Sequence, residues 1–169
     1  MLKPQTPVPP LSIETAGHGR WTLADQTPEH FSMVVFYRGL HCPVCKTYAE
    51  VLARLKPQLA ELGVEPVLIS ADTQTKAQET AEKWKIDGLP LGYGLTEADM
   101  RAWGLYVSRA IKDVEPDLFC EPGLFVVRPD GELYYAAVNS MPFGRPDLEA
   151  FTKSLAWVLK ANYPGRGEA

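Results

Sequence analysis

Cys42 and Cys45 are the residues of this chain whose type and spacing can do chemistry. They lie in Phe36-Tyr37-Arg38-Gly39-Leu40-His41-Cys42-Pro43-Val44-Cys45-Lys46. An apolar run, Met33 to Tyr37, ends there in a short loop, and an amphipathic helical pattern starts at once with Pro43. Cys42 is thereby placed on the first turn of a helix. Unpaired backbone N–H groups and the helix dipole favour a thiolate at that point. Cys45 follows one turn on, close enough to close a disulfide with Cys42. The chemistry this implies is reversible two-electron thiol redox. A Cys42 thiolate can attack a disulfide sulfur, giving a mixed disulfide, or a peroxide oxygen, giving a sulfenic acid. Cys45 can then attack the Cys42 sulfur and release the product as an intramolecular disulfide.

Other side chains bear on the pair, each with a plainer alternative. His41, if protonated, would stabilise the thiolate; otherwise it is a loop histidine exposed to water. Arg38 can supply positive charge or pair with a surface carboxylate. Cys120 is either an alternative resolving thiol or a lone semi-buried cysteine. Ser70 and Asp72, at a strand end, read as helix-capping groups. A zinc site from Cys42, Cys45, His41 and Cys120 has the right number of ligands. It lacks a second spaced ligand pair, and adjacent His41 and Cys42 rarely reach one ion, so no metal is expected. No nucleotide, flavin or haem motif is visible, so no tightly bound cofactor is expected.

The composition bounds the setting. The 169 residues, 46% hydrophobic and 22% charged, suit one domain with a sizeable core. Net charge is −4, from 17 basic and 21 acidic residues, with no basic patch or arm; nucleic acid is not an expected partner. No apolar run approaches the roughly 20 residues of a membrane span, and the N-terminal stretch does not resemble a signal peptide. The expected compartment is the cytoplasm, where a close cysteine pair is more often catalytic or metal-binding than structural.

The elements that must position the thiols follow from periodicity. Residues 1–10 are proline-rich and extended. Short strands are expected at 11–14 and 21–23 and a continuous apolar one at 31–37, covered on both faces. A helix over 43–62 should be kinked or split at Pro57 and ended by Gly63. A strand at 64–70 precedes a helix opened by a Thr75/Gln78 capping box and running to about Trp84. Thr96 caps a shorter helix through Trp103. Residues 108–121 form a long irregular connection. Strands at 123–128 and 132–138 flank the turn Pro129-Asp130-Gly131, and a last helix covers 146–160. The domain is expected to span 11–162, with a loose tail over 163–169.

These motifs resemble the peroxiredoxins of the alkyl hydroperoxide reductase/thiol-specific antioxidant (redoxin) type. Trp21-Thr22-Leu23-Ala24-Asp25, Phe36-Tyr37, Cys42-Pro43, Ser70-Ala71-Asp72, Ala102-Trp103-Gly104-Leu105-Tyr106 and Gly123-Leu124-Phe125-Val126-Val127-Arg128-Pro129-Asp130-Gly131 each match a stretch of that family. The resemblance implies a thioredoxin-like α/β three-layer sandwich, a central mixed sheet with helices on both faces. It implies a thiol-dependent antioxidant oxidoreductase acting on peroxides or disulfides, with Cys42 peroxidatic and Cys45 resolving. The electron donor would be an external thiol of thioredoxin, glutaredoxin or glutathione type. Members often dimerise, which allows a homodimer. Two positions depart from the pattern: Gly39 stands where the family carries Thr, and Pro122 where it carries Arg. Pro122 also falls where thioredoxins place a cis-proline facing their cysteine pair. In that reading it presents the backbone of Glu121 to an extended substrate, and the protein is a disulfide reductase without significant peroxidase activity. A metal-binding thioredoxin-fold protein is the further alternative.

Overall fold

A computed structural model describes residues 1–169. The long apolar runs form its centre, because strands without a polar face must be covered on both sides. The seven-stranded sheet is built from β1 (Ser12–Thr15), β2 (Gly19–Thr22), β3 (Phe31–Phe36), β4 (Val64–Ile69), β5 (Leu91–Tyr93), β8 (Gly123–Val127) and β9 (Leu133–Val138), in the order β2-β1-β5-β4-β3-β8-β9. β3 pairs parallel with β4 and antiparallel with β8, so the loop leaving β3 emerges from the middle of the sheet. A separate antiparallel pair, β6 (Val107–Arg109) and β7 (Leu118–Cys120), lies outside it.

Alternation along β3 divides the interior. Met33 and Val35 enter a core with Leu52, Leu55 and Leu59 of α1 (Pro43–Glu61), Ala77 of α2 (Gln74–Lys83) and Leu155 of α4 (Leu148–Ala161). Val34 and Phe36 enter a second core with Met100 of α3 (Glu97–Ala102), Trp103 and Cys120. Helices therefore cover both faces. No helix is long and apolar enough to cross a membrane.

Several expectations are corrected. α1 runs unbroken through Pro57. Pro57 lies on the exposed side of the helix and removes one N–H from its ladder, while the buried Leu52, Leu55 and Leu59 hold both halves on the sheet. α2 is capped by Thr73, whose side chain accepts from the Lys76 N–H; Thr75 lies inside the helix. The expected irregular connection contains β6 and β7, and β5 was not anticipated; three residues are too few to show a period. The hairpin turn and the capping box of α3, Thr96 with Asp99, are present. The N-terminal segment runs beside β9, with Gln5 N–H donating to Leu133 O and Val8 N–H to Gly131 O. Residues 163–169, expected to be loose, lie against it: Gln5 Nε2 donates to Gly165 O and the Tyr134 hydroxyl to Tyr163 O.

Candidate active site

The strand-to-helix junction is a tight turn. The Cys42 N–H donates to Gly39 O at 3.1 Å, and Cys42 itself is the N-cap of α1. Its Sγ accepts the Cys45 backbone N–H at 3.2 Å, the role an Asp or Ser oxygen usually fills. Pro43, at the first helical position, has no N–H to leave unpaired. Both thiols are reduced, and each is only 1% exposed.

The two sulfurs are driven apart electrostatically. The Cys42 thiol is lowered to about 6, first by the hydrogen bond from the Cys45 side chain and then, against burial, by the Cys45 N–H and the Arg38 and Arg145 guanidinium groups. Burial, and next the Cys42 sulfur, push Cys45 far above the ordinary thiol range. The arrangement favours a thiolate at Cys42, with the proton kept on Cys45.

Arg38 is held by two carboxylates, Glu115 and Glu121, neither of which the sequence pairs with it. Its Nε lies 3.2 Å from Glu121 Oε2, its terminal nitrogen 3.9 Å from Glu115 Oε1, and its Cζ 4.9 Å over the Phe119 ring. Glu115 is fixed in turn by the Ile111 and Lys112 N–H groups at 2.7 and 3.2 Å, which hold its carboxyl below the usual range. The His41 side chain is buried, not exposed to water. Only 4% of it is accessible, and it lies edge-on to Phe119, with Nε2 4.0 Å from Glu115 Oε1. Burial first, then Arg38, lower its pKa, so the neutral imidazole is favoured.

The Glu121–Pro122 segment is arranged differently from the substrate platform expected of a disulfide reductase. The chain has no cis peptide bond, so Pro122 is trans. The Glu121 N–H donates to Tyr106 O at 2.8 Å, and Pro122 O accepts from the Asn139 N–H at 2.9 Å. That backbone is already used internally. The Glu121 side chain is buried as a partner of Arg38 and of the Ser108 hydroxyl, at 2.7 Å, not as a substrate-facing surface. Cys120 is fully buried in the second core, donates to Tyr37 O at 3.4 Å and is raised to about 12 by burial. Its burial and raised pKa disfavour a thiolate there. No group of three or more His, Cys, Asp or Glu side chains is arranged to hold a metal ion.

Asp72 is not a helix cap. It is fully buried, and its Oδ2 accepts the Leu40 N–H at 2.8 Å, fastening the loop before Cys42 to the end of β4. Burial raises its pKa. This contact explains Gly39. A Cβ there would lie 2.7 Å from Asp72 Oδ1, and φ is +133°. The family's Thr has no room at this position. Gly39→Ala is expected to lose about 2–4 kcal/mol, from backbone strain and a disturbed Asp72–Leu40 bond. Tm would fall by on the order of 10 °C. A thermal midpoint within about 2 °C of the native one would show that the loop can relax away from Asp72.

Arg145 escaped the sequence reading. It lies in the connection between β9 and α4, with Nη2 3.1 Å from Cys45 Sγ, Nε donating to Pro142 O at 2.8 Å and Cζ 4.7 Å over the Tyr48 ring. It is 100 residues from Cys45 with no local motif to mark it.

The mixed sheet with helices on both faces is the thioredoxin-like fold of the peroxiredoxins. The AhpC/TSA family pattern matches residues 4–136; the chain belongs to the AhpC/TSA family and is a thiol-peroxidase-type oxidoreductase. Similar solved structures include the peroxidoxin BcpB of Mycobacterium tuberculosis, at 18% identity over 95% of this chain and 98% of that one, TM-score 0.74. A mutant of the peroxiredoxin 6 of Arenicola marina is 12% identical over 96% and 76%, TM-score 0.82. The reduced 2-Cys peroxiredoxin of Plasmodium vivax is 14% identical over 95% and 99%, TM-score 0.76. At these identities the likeness speaks for the fold. No protein of curated function matches the chain.

Proposed function

We propose that this chain reduces small peroxides through a Cys42/Cys45 dithiol–disulfide cycle. The Cys42 thiolate attacks the peroxide O–O bond, leaving Cys42 sulfenic acid and an alcohol or water once the leaving oxygen takes a proton. Cys45 then attacks the Cys42 sulfur, closing the disulfide and releasing water. Two external thiols, of thioredoxin, glutaredoxin or glutathione type, reopen it by exchange. The observation that carries this reading is the Cys42 sulfur capping α1, with the Cys45 N–H on it and a second thiol one turn away. In place of the family's Thr and Arg, Arg38 and the helix N-terminus supply the positive field. The burial of both sulfurs favours a small oxidant over a protein disulfide.

The test is a stopped-flow trace of the reduced protein with hydrogen peroxide across pH, with mass spectrometry on the product. Ionised Cys42 is the reactive species, so the rate should rise with pH through about 6 and level off by pH 7.5. A free thiol would still be gaining up to about pH 8.5. The expected product is a Cys42–Cys45 disulfide formed much faster than free cysteine reacts. A rate equal to free cysteine's would move the assignment to disulfide exchange.

A further inference from the structure

The Arg145 guanidinium has an odd set of partners. It belongs to none of the chain's ion pairs. Its polar contacts are a carbonyl and the Cys45 sulfur, and its Nη1 is buried with no partner. Arginine usually meets carboxylate or phosphate, and donation to a neutral thiol uses little of its charge. The group is nevertheless firmly placed. Its Cζ stacks on Tyr48, and the Tyr48 hydroxyl donates to Pro146 O at 2.9 Å, tying α1 to the segment that carries Arg145. Asn139 Nδ2 braces the same segment through Gly144 O at 3.0 Å. The Cys42 thiolate feels this charge, but the sulfur that the guanidinium touches, Cys45, still carries its proton in the reduced protein.

We infer that Arg145 is the catalytic counter-ion of the resolving step, holding Cys45 as a thiolate once Cys42 has been oxidised. The inference rests on the dithiol cycle proposed above. In the reduced state Cys45 keeps its proton, first because it is buried and next because the neighbouring Cys42 already carries the negative charge. Peroxide converts that thiolate to an uncharged sulfenic acid and removes the repulsion. Arg145 remains 3.1 Å from the Cys45 sulfur and now favours its ionisation. The Cys45 proton passes to solvent water, which returns one to the departing oxygen. The Cys45 thiolate forms the S–S bond, the Cys42 S–O bond breaks, and the departing hydroxide takes up a proton as water. The cysteine pair is oxidised and the peroxide reduced, with no other reactant. Oxidation of the first thiol thus licenses the second, and the two thiolates never coexist.

The test separates closure from oxidation. In Arg145→Gln, mixed with hydrogen peroxide, disulfide closure should slow by at least about tenfold, the rate equivalent of one charge-assisted hydrogen bond. Oxidation of Cys42 should slow far less, so that Cys42 sulfenic acid accumulates and is trapped by dimedone. Arg145→Lys should recover part of the closure rate. A second measurement does not depend on turnover. In Cys42→Ser/Cys120→Ser, Cys45 is the only thiol, and its alkylation by iodoacetamide should titrate at least about one unit higher when Arg145→Gln is added. Closure and titration both unchanged in folded Arg145→Gln would overturn the proposal while leaving the dithiol cycle intact. If the native protein forms no Cys42–Cys45 disulfide, the cycle itself fails, and this role with it.

Discussion

Cys42→Ser is expected to consume peroxide no faster than buffer and reductant alone, a loss of at least about a thousandfold, because no other sulfur can take over. Cys45 is held protonated by burial and cannot act first, and Cys120 is sealed in the opposite core. A serine hydroxyl would keep the helix cap, accepting the Cys45 N–H as sulfur does, so folding should survive. The assay is peroxide consumption with dithiothreitol as reductant, with circular dichroism to establish the fold. Cys120→Ser serves as the control and should keep the native rate. A Cys42→Ser protein retaining more than about a tenth of native turnover would take the nucleophile away from Cys42.

Much of this arrangement is legible from Phe36 to Lys46, for a local reason. An apolar strand, a short loop, a proline at the first helical position and cysteines at i and i+3 fix one another within a dozen residues, so their placement needs no tertiary information. The long apolar strands and α1 are legible on the same ground: each carries enough residues to show its period. What surrounds the sulfurs is not local. Glu115 reaches Arg38 from the connection before β7 and Glu121 from the position just after it, Asp72 fastens Leu40 across 32 residues, and Arg145 comes from beyond β9. Nothing in the spacing of a charged residue tells whether it will meet a thiol or water. His41 shows the converse. Its position beside Cys42 suggests a cation, yet burial against Phe119 and the charge of Arg38 favour the neutral ring. Pro122 carries the same lesson about resemblance. It occupies a position that suggests a substrate platform, but its peptide is trans, and the Glu121 N–H and the Pro122 carbonyl are bonded within the chain.

The burial of the dithiol narrows what can react. A thiol that is 1% exposed meets hydrogen peroxide by a fluctuation of side chains, whereas a protein disulfide needs the strand-to-helix loop itself to move. That loop is pinned at Leu40 by Asp72 and at Cys42 by Gly39. Oxidation by a small molecule is therefore favoured in the reduced state, and reduction by a larger thiol partner calls for a more open disulfide form.

Cys45→Ser should divide the cycle at this point. The first half is retained: a serine hydroxyl can still donate to the Cys42 sulfur, and the backbone N–H and Arg38 are untouched, so Cys42 should be oxidised at close to the native rate. The second half is lost. Serine cannot form the S–S bond, and Cys120 lies buried in the other core, so the sulfenic acid has no internal partner. Turnover supported by a dithiol should fall by at least about a hundredfold at low reductant, and recover in part as external thiol is raised and attacks the Cys42 sulfenic acid directly. With excess peroxide the variant should progress to sulfinic acid at Cys42, while the native protein stops at the disulfide. Mass spectrometry of the two proteins after graded peroxide reads all of this in one series. A Cys45→Ser protein that turns over at the native rate, with no accumulation of sulfenic or sulfinic acid, would mean that external thiols resolve Cys42 in the native protein as well. The second cysteine of the motif would then have a structural role, as the proton donor that holds Cys42 ionised.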